Sequence, residues 1–168
     1  TSFALMKLGM FLPLRGPQVS GSFLRRIATG AEGIGLTSIW LGEHVVLFTD
    51  YETRYPGNAE GDLGIPRDQG LMDLSTAIGF MAGVTSTIRF GTGICLVPQR
   101  NPVYTAKEMA TADHLSDGRV DFGIGVGWSS EEFEACGVPW ARRGARTDEY
   151  LDVMRTLWTD HSSAFDGE

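Results

Sequence analysis

His44 and its neighbour Glu43 are the residues of this sequence best suited to move a proton. An imidazole titrates near neutral pH and can donate or accept. His44 follows the short run Ser38 to Gly42, which is barely long enough to cross a sheet, so it is expected on the rim where strands end. On residue type alone a surface or packing histidine is the simpler reading. Glu43 either tunes His44 or faces solvent. His114 and His161 have no comparable placement and read as structural.

Two glycine-bearing strand ends come next, Gly91-Thr92-Gly93-Ile94-Cys95 and Gly123-Ile124-Gly125-Val126-Gly127-Trp128-Ser129. Glycine at such a position lets a flat ring approach the backbone, or simply lets a sheet curve. Ser129 can supply a hydroxyl, and Trp128 either walls a pocket or plugs the top of the fold. The second segment follows a strand and precedes a helix, as a dinucleotide fingerprint does. Trp128, however, stands where that motif needs its third glycine for close helix–strand packing. Cys95 has no basic partner nearby in sequence and reads as a small buried residue. Arg142, Arg143 and Arg146 could hold an anion, but beside Asp148 and Glu149 on a helix they read as a solvated, salt-bridged face. No metal-ligand spacing and no supported Ser/His/Asp constellation occurs.

Composition narrows the classes. The 168 residues suffice for one domain, and 42% hydrophobic content excludes a mostly disordered chain. A net charge of −7 speaks against nucleic acid or an anionic membrane surface as main partner. No apolar run reaches the ~18–20 residues of a spanning helix. Two cysteines without a C-x-x-C pair, and no signal-like opening, give a reduced cytoplasmic location as the default. Met6 either starts the natural chain, leaving residues 1–5 as an added extension, or is internal.

The elements that must position these residues form four strand-then-helix units. Strands are expected over Lys7–Leu12, Ser38–Gly42, Ile88–Val97 and Val120–Gly125. The first helix follows Ser20-Gly21-Ser22 and shows Leu24, Ile27, Ala28 and Ala31 at helical spacing. Asp73 caps a second helix whose buried face is Leu74, Ala77, Ile78, Met81 and Ala82. The third begins at Pro102 and runs to about Leu115. A short acidic helix, Glu131 to Cys136, precedes a longer one with Thr147, Tyr150, Leu151, Met154, Leu157 and Trp158 as its buried stripe. Strand starts near 7, 38, 88 and 119 are spaced by 31, 50 and 31 residues. A (β/α)8 barrel averages ~31 residues per unit. The larger interval holds a loop from about Val45 to Met72, rich in glycine, proline and charge. It is a candidate lid, expected to be mobile without ligand.

Several ordered blocks resemble the luciferase-like flavin and deazaflavin oxidoreductases. They are Ser38-Ile39-Trp40-Leu41-Gly42-Glu43-His44, Arg89-Phe90-Gly91-Thr92-Gly93-Ile94, Pro98-Gln99-Arg100-Asn101-Pro102 with Ala106-Lys107, and Asp113-His114-Leu115-Ser116-Asp117-Gly118-Arg119. Gly123 to Trp128, Glu131-Glu132-Phe133, Gly137-Val138-Pro139 and Arg143 to Glu149 complete the series. The resemblance covers nearly all of the chain from Lys7 and is nearest to the subgroup that uses coenzyme F420, a deazaflavin.

The resemblance implies a TIM-barrel α/β fold, of which residues 1–168 supply about four units, the N-terminal half. It implies that His44, with Glu43, lies beside the cofactor ring as proton donor or substrate-orienting group. It implies ring contacts from Thr92, Gly93, Ile94, Gly125, Gly127, Trp128 and Ser129, and a cis peptide at Gly93–Ile94. Asp113, Asp117 and Arg119 fall on the turn entering the fourth strand, the stability face, and read as structural. The expected reaction is hydride transfer between F420 and a small organic substrate. FMN with molecular oxygen is the alternative enzyme, and a half-barrel assembly module that binds no cofactor is the alternative of another class. Four parallel strands cannot close a barrel, so association with a second copy or with a C-terminal half is expected.

Overall fold

The computed structural model describes residues 6–66, 69–160, 162 and 164–167. His161 and residues 1–5 lie outside the described residues. Strand β1 (Gly9–Phe11) leads to helix α1 (Gly21–Gly33), whose Ser20 side chain caps the Phe23 N–H. β2 (Ser38–Leu41) is followed by the long loop and by α2 (Leu74–Ala82), capped by Asp73 at Thr76 N–H. β3 (Arg89–Thr92), β4 (Cys95–Leu96) and a single 3-10 turn (Val97–Gln99) lead to α3 (Pro102–Leu115), capped by Asn101. β5 (Val120–Asp121), β6 (Ile124–Gly125), α4 (Ser130–Ala135) and α5 (Arg143–Thr159) follow.

All the strand pairs are parallel. β1, β2, β3 and β5 lie in that order, with Met10 opposite Ile39, Ile39 opposite Phe90 and Phe90 opposite Val120. Each new strand adds to the same edge, as in a barrel wall. A doubly wound dinucleotide sheet reverses its order instead, so that reading is excluded.

Two of the four strands expected as single runs are broken. The third divides at the cis peptide Gly93–Ile94, and the fourth divides at Phe122-Gly123. Their continuations, β4 and β6, pair with each other through Cys95–Ile124 and Leu96–Gly125. Thr92 stitches the break: its Oγ1 donates to Gly123 O at 2.6 Å and accepts from Gly123 N–H at 2.8 Å. Gly123 is required here, because a Cβ would strike the Thr92 carbonyl.

Alternation along β2 and β3 separates two faces. Ile39, Leu41 and Phe90 point outward and are buried with Ala28, Ile78, Met81 and Met154 from the helices. Phe11, Ser38, Trp40, Arg89 and Asp121 point inward and line a concavity of about 1110 Å3. There Arg89 grips Asp121 with two bonds of 2.8 and 2.7 Å, and the Trp40 ring occupies the space a Cβ on Gly91 would need.

The turn entering β5 is structural, as read from its position. The guanidinium of Arg119 is buried and donates to the carbonyls of Ser116, Ile88, Ala82 and Thr85. Asp113 accepts from Val120 N–H, and Asp117 sits at positive φ in the turn. The α5 stripe is corrected at one end. Thr147 and Met154 are buried, but Leu157 and Trp158 are 40% and 43% exposed. The reason is that α5 packs mainly along α3, where Trp158 reaches only by its edge, donating Nε1–H to Ala106 O.

Candidate active site

A cleft of about 560 Å3 opens at the C-terminal ends of the strands. Gly42, Glu43 and His44 reach it from the end of β2, Gly93 and Ile94 from the break between β3 and β4, and Gly127 and Trp128 from the segment after β6. Residues of the long loop, among them Tyr55, Leu63 and Ile65, form another wall. Ile94 leaves 37% of its surface exposed here.

His44 Nδ1 lies 2.7 Å from Glu132 Oε1, and that carboxylate is 1% exposed. Glu132 Oε2 in turn accepts from Gln99 Nε2 at 3.4 Å. A neutral imidazole bonded in this way carries its hydrogen on Nδ1 and presents Nε2 as the acceptor; an imidazolium presents Nε2–H as a donor. Among the described residues none bonds Nε2. The imidazole also meets Trp128 edge-on at 6.1 Å between ring centroids, and Trp128 touches the rings of Tyr51 and Tyr55 at 5.1 and 5.3 Å.

Glu43 neither faces solvent nor bonds His44. Its buried carboxylate accepts from Leu96 N–H at 2.7 Å and from Arg100 at 3.1 to 3.2 Å. Burial pushes its carboxyl above the usual range, although Arg100 and the Leu96 N–H oppose the rise. Arg100 also reaches Asp73 and Glu108, so Glu43 ties β4 to the start of α2 and α3. The Cys95 thiol beside it is buried, and burial, with Glu43 adding, drives its pKa far above the usual thiol range.

Thr92 and Ser129, expected at the ring, use their hydroxyls locally. Both are fully buried. The Thr92 hydroxyl is used within the sheet, and Ser129 Oγ caps α4, accepting from Glu132 N–H and donating to Glu131. Hydroxyls at strand and helix ends satisfy local backbone first. Gly125 lies under Ile94, whose side chain fills the space a Cβ would take. Gly127 has φ +75, which admits glycine readily, and a Cβ there would crowd Phe133 and Gln99. The arginine cluster holds its own elements together: Arg143 stacks on Trp140 at 3.7 Å, and Arg146 donates to the carbonyls of Pro139 and Ala141.

Residues 6–168 match the family model for luciferase-like monooxygenases. The chain belongs to that family. This luciferase-like chain is 37% identical over 140 residues to an uncharacterised protein of Mycobacterium tuberculosis (strain H37Rv), covering 82% of itself and 49% of the relative. It is 31% identical over 148 residues to a phthiodiolone/phenolphthiodiolone dimycocerosates ketoreductase of Mycobacterium bovis, covering 86% of itself and 38% of that enzyme. The chain therefore spans about half the length or less of these curated relatives. Among solved structures it resembles the monooxygenase RslO1 of Streptomyces bottropensis, at 25% identity and a TM-score of 0.75, over 97% of this chain and 46% of that one. An F420-dependent secondary alcohol dehydrogenase in complex with an F420-acetone adduct shares the fold at 22% identity and a TM-score of 0.72, over 96% and 45%. No helix among the described residues is long and apolar enough to cross a membrane, and none of their side chains forms a metal-binding group of His, Cys, Asp and Glu.

Sequence reasoning missed the role of Glu132 in this luciferase-like site. Ser129-x-x-Glu132 has the form of a capping box, in which the glutamate would fold back on the cap. The serine does cap, but the glutamate turns to His44. Glu131 takes a different task and binds Glu52 N–H at 2.6 Å and Thr53 N–H at 2.8 Å. Burial opposes the ionised form, but these bonds outweigh it and hold the Glu131 pKa at about 2. The long loop is thereby fastened to α4 at residues 52–53.

Proposed function

We propose that this chain carries the proton-transfer half of an oxidoreductase site that moves a hydride between coenzyme F420 and a small organic carbonyl or alcohol. The observation that supports this reading most is the His44–Glu132 pair at the mouth of a cleft whose wall carries Gly93 and Ile94. The bare backbone at Gly42, Gly93 and Gly127, together with the exposed face of Ile94, suits the close approach of a flat tricyclic ring. Gly93, Ile94, Gly127 and Trp128 would hold it. When bound, a deazaflavin supplies or accepts the hydride.

The chain's own residues do the rest. Glu132 accepts from His44 Nδ1–H, fixes the ring plane and leaves Nε2 to pass a proton to or from the substrate oxygen. Trp128, Tyr55 and the apolar loop wall exclude water from that exchange. The ketoreductase named above catalyses a carbonyl reduction by its name, which agrees with this direction of chemistry. The remaining wall of the cleft is proposed to come from the other half of the barrel.

FMN with oxygen is the second reading, favoured by the 25% identity to a monooxygenase. The deciding experiment presents the protein with reduced F420 and a panel of ketones under nitrogen, and with reduced FMN in air. Ketone-dependent return of the oxidised deazaflavin's visible absorbance, lost in His44→Ala, is the expected result. Substrate-dependent oxygen uptake with FMN alone overturns it.

A further inference from the structure

We propose that Arg15 is an anion-recognition residue of the cleft, so that the ligand bound there is an apolar molecule carrying a carboxylate or phosphate. The inference rests on the proposed function only in taking this cleft as the ligand site.

Arg15 stands where the chain leaving β1 meets the end of the long loop. It forms an antiparallel bridge with Leu71, and Met72 N–H donates to Leu14 O at 3.0 Å, so its backbone is held from both sides. Its side chain lines the cleft. Nη1 is shut off from solvent and has no hydrogen-bond partner, and Arg15 forms no ion pair with any described residue. A guanidinium N–H withdrawn from water and unpaired is costly, and an incoming acceptor removes that cost. The acid and the imidazole of the wall are already engaged, Glu43 by Arg100 and Leu96, His44 by Glu132. Among the described residues Arg15 is thus the cleft's uncommitted cation, in surroundings supplied by Pro13, Leu14, Leu63, Ile65 and Leu71.

A guanidinium fork matches carboxylate and phosphate geometry with two parallel bonds, and an apolar wall strengthens them. The protein's overall charge of −7 repels anions at long range, so an anionic ligand needs such a local cation. The anion has two sources, the substrate or the phosphate of the cofactor, and both present the same acceptor chemistry.

Ligand binding can be read from the fluorescence of Trp128, with Trp128→Phe as the control that assigns the signal. The probes are 4-phenylbutyrate against the neutral 4-phenyl-1-butanol, and F420 against its phosphate-free ring-and-ribityl form. In the unaltered protein at least one anionic probe should bind about tenfold or more tightly than its neutral counterpart. Arg15→Met should remove that preference while leaving the neutral probes within twofold, and Arg15→Lys should restore part of it. Loss confined to 4-phenylbutyrate assigns the anion to the substrate, and loss confined to F420 assigns it to the cofactor. Equal binding of acid and alcohol, together with equal binding of the two cofactor forms, overturns the proposal, as does a preference that survives in Arg15→Met. Thermal melting of both variants checks that they remain folded. No turnover is needed, so absence of hydride transfer leaves this result standing, and a positive turnover assay does not rescue it.

Discussion

His44 and Glu132 are separated by 88 positions in the chain and by 2.7 Å in space. One comes from the end of β2 and the other from α4, so the pair forms only when the second and fourth units of the wall are in register. The histidine is thereby oriented by a buried carboxylate that its own segment does not supply, although Glu43 stands next to it.

Removing the charge of that carboxylate should affect turnover more than binding. Glu132→Gln keeps the volume and an acceptor for Nδ1–H but not the negative charge. We expect kcat to fall about a hundredfold, within the ~10²–10⁴ that a placed proton donor contributes, with KM changed less than threefold. Steady-state kinetics of hydride transfer check this. A purely structural role for Glu132 would lower the yield of folded protein and leave kcat per folded molecule unchanged.

The turn entering β5 should carry stability and no chemistry. Arg119→Met removes the donors to Ser116, Ile88, Ala82 and Thr85 carbonyls and leaves them in a site where Arg119 itself is only 8% exposed. The expected loss is about 3–5 kcal/mol, as for other broken buried charged networks. Urea denaturation measures it, and cofactor affinity of the folded fraction should not change.

Two glycines should respond in opposite directions. Gly30 lies in the exposed interior of α1 with nothing near its absent Cβ, so Gly30→Ala should stabilise by about 0.5–1 kcal/mol. At Gly123 the Cβ would meet the Thr92 carbonyl, a backbone atom that cannot turn aside. Gly123→Ala should destabilise by about 2 kcal/mol or more, since overpacking of this kind costs ~1–3 kcal/mol before the Thr92 bonds are counted. Thermal melts of the two variants decide between these signs.

Acid should weaken the links that Glu32 and Glu131 make. The Glu32 carboxylate accepts from Ser86, Thr87 and Ile88 N–H groups, and Glu131 from Glu52 and Thr53. In each, burial opposes ionisation but hydrogen bonding outweighs it, and the pKa falls from 4.5 to about 2. A lowered folded-state pKa means that the contribution is complete above pH 4.5 and is lost as pH falls towards 2. The urea midpoint should therefore drop over that window, and Glu32→Gln should flatten the drop. A midpoint as acid-sensitive in Glu32→Gln as in the unaltered chain would contradict the assignment.

The regular parts of this architecture were legible because each was written locally. Ser20 and Asp73 each precede a helix and Pro102 opens one, helical spacing marks Leu24, Ala28 and Ala31, and strand starts recur at a barrel's interval. The break in the third strand was marked only by the resemblance, through the cis peptide at Gly93–Ile94, and the break in the fourth, at Phe122-Gly123, had no marker. Local patterning hid both, because each falls at a glycine that reads equally well as strand curvature, while Thr92 bonds Gly123 across the two breaks. The same contact withdrew Thr92 from the cleft. Glu132 carries no sequence signal toward His44, since its spacing from Ser129 is that of a capping box and its partner lies 88 positions away. Tyr51 and Tyr55, which close on Trp128, lie in a loop with no periodicity to read. Arg15 carries no motif, and its unpaired Nη1 becomes visible only in the structure, beside Glu43 and His44 that already have partners.

The inner face of the sheet makes the last prediction. Phe11 is 58% exposed there, Met6 and Leu8 are exposed just before β1, and the concavity they flank measures about 1110 Å3. Exposed apolar side chains beside this concavity, between two strand edges that are unpaired among the described residues, seek a cover. A second copy of the chain, or the other half of a barrel, would supply it. We expect the 168-residue chain on its own to sediment as a dimer or larger species, and Phe11→Glu to shift it towards monomer by placing a charge in the buried face. The separated monomer should bind deazaflavin more weakly than micromolar (about −8 kcal/mol), because only part of the cleft wall is present. A monomer at all concentrations, or micromolar binding by that monomer, would show that the four units close their own core and site without a partner.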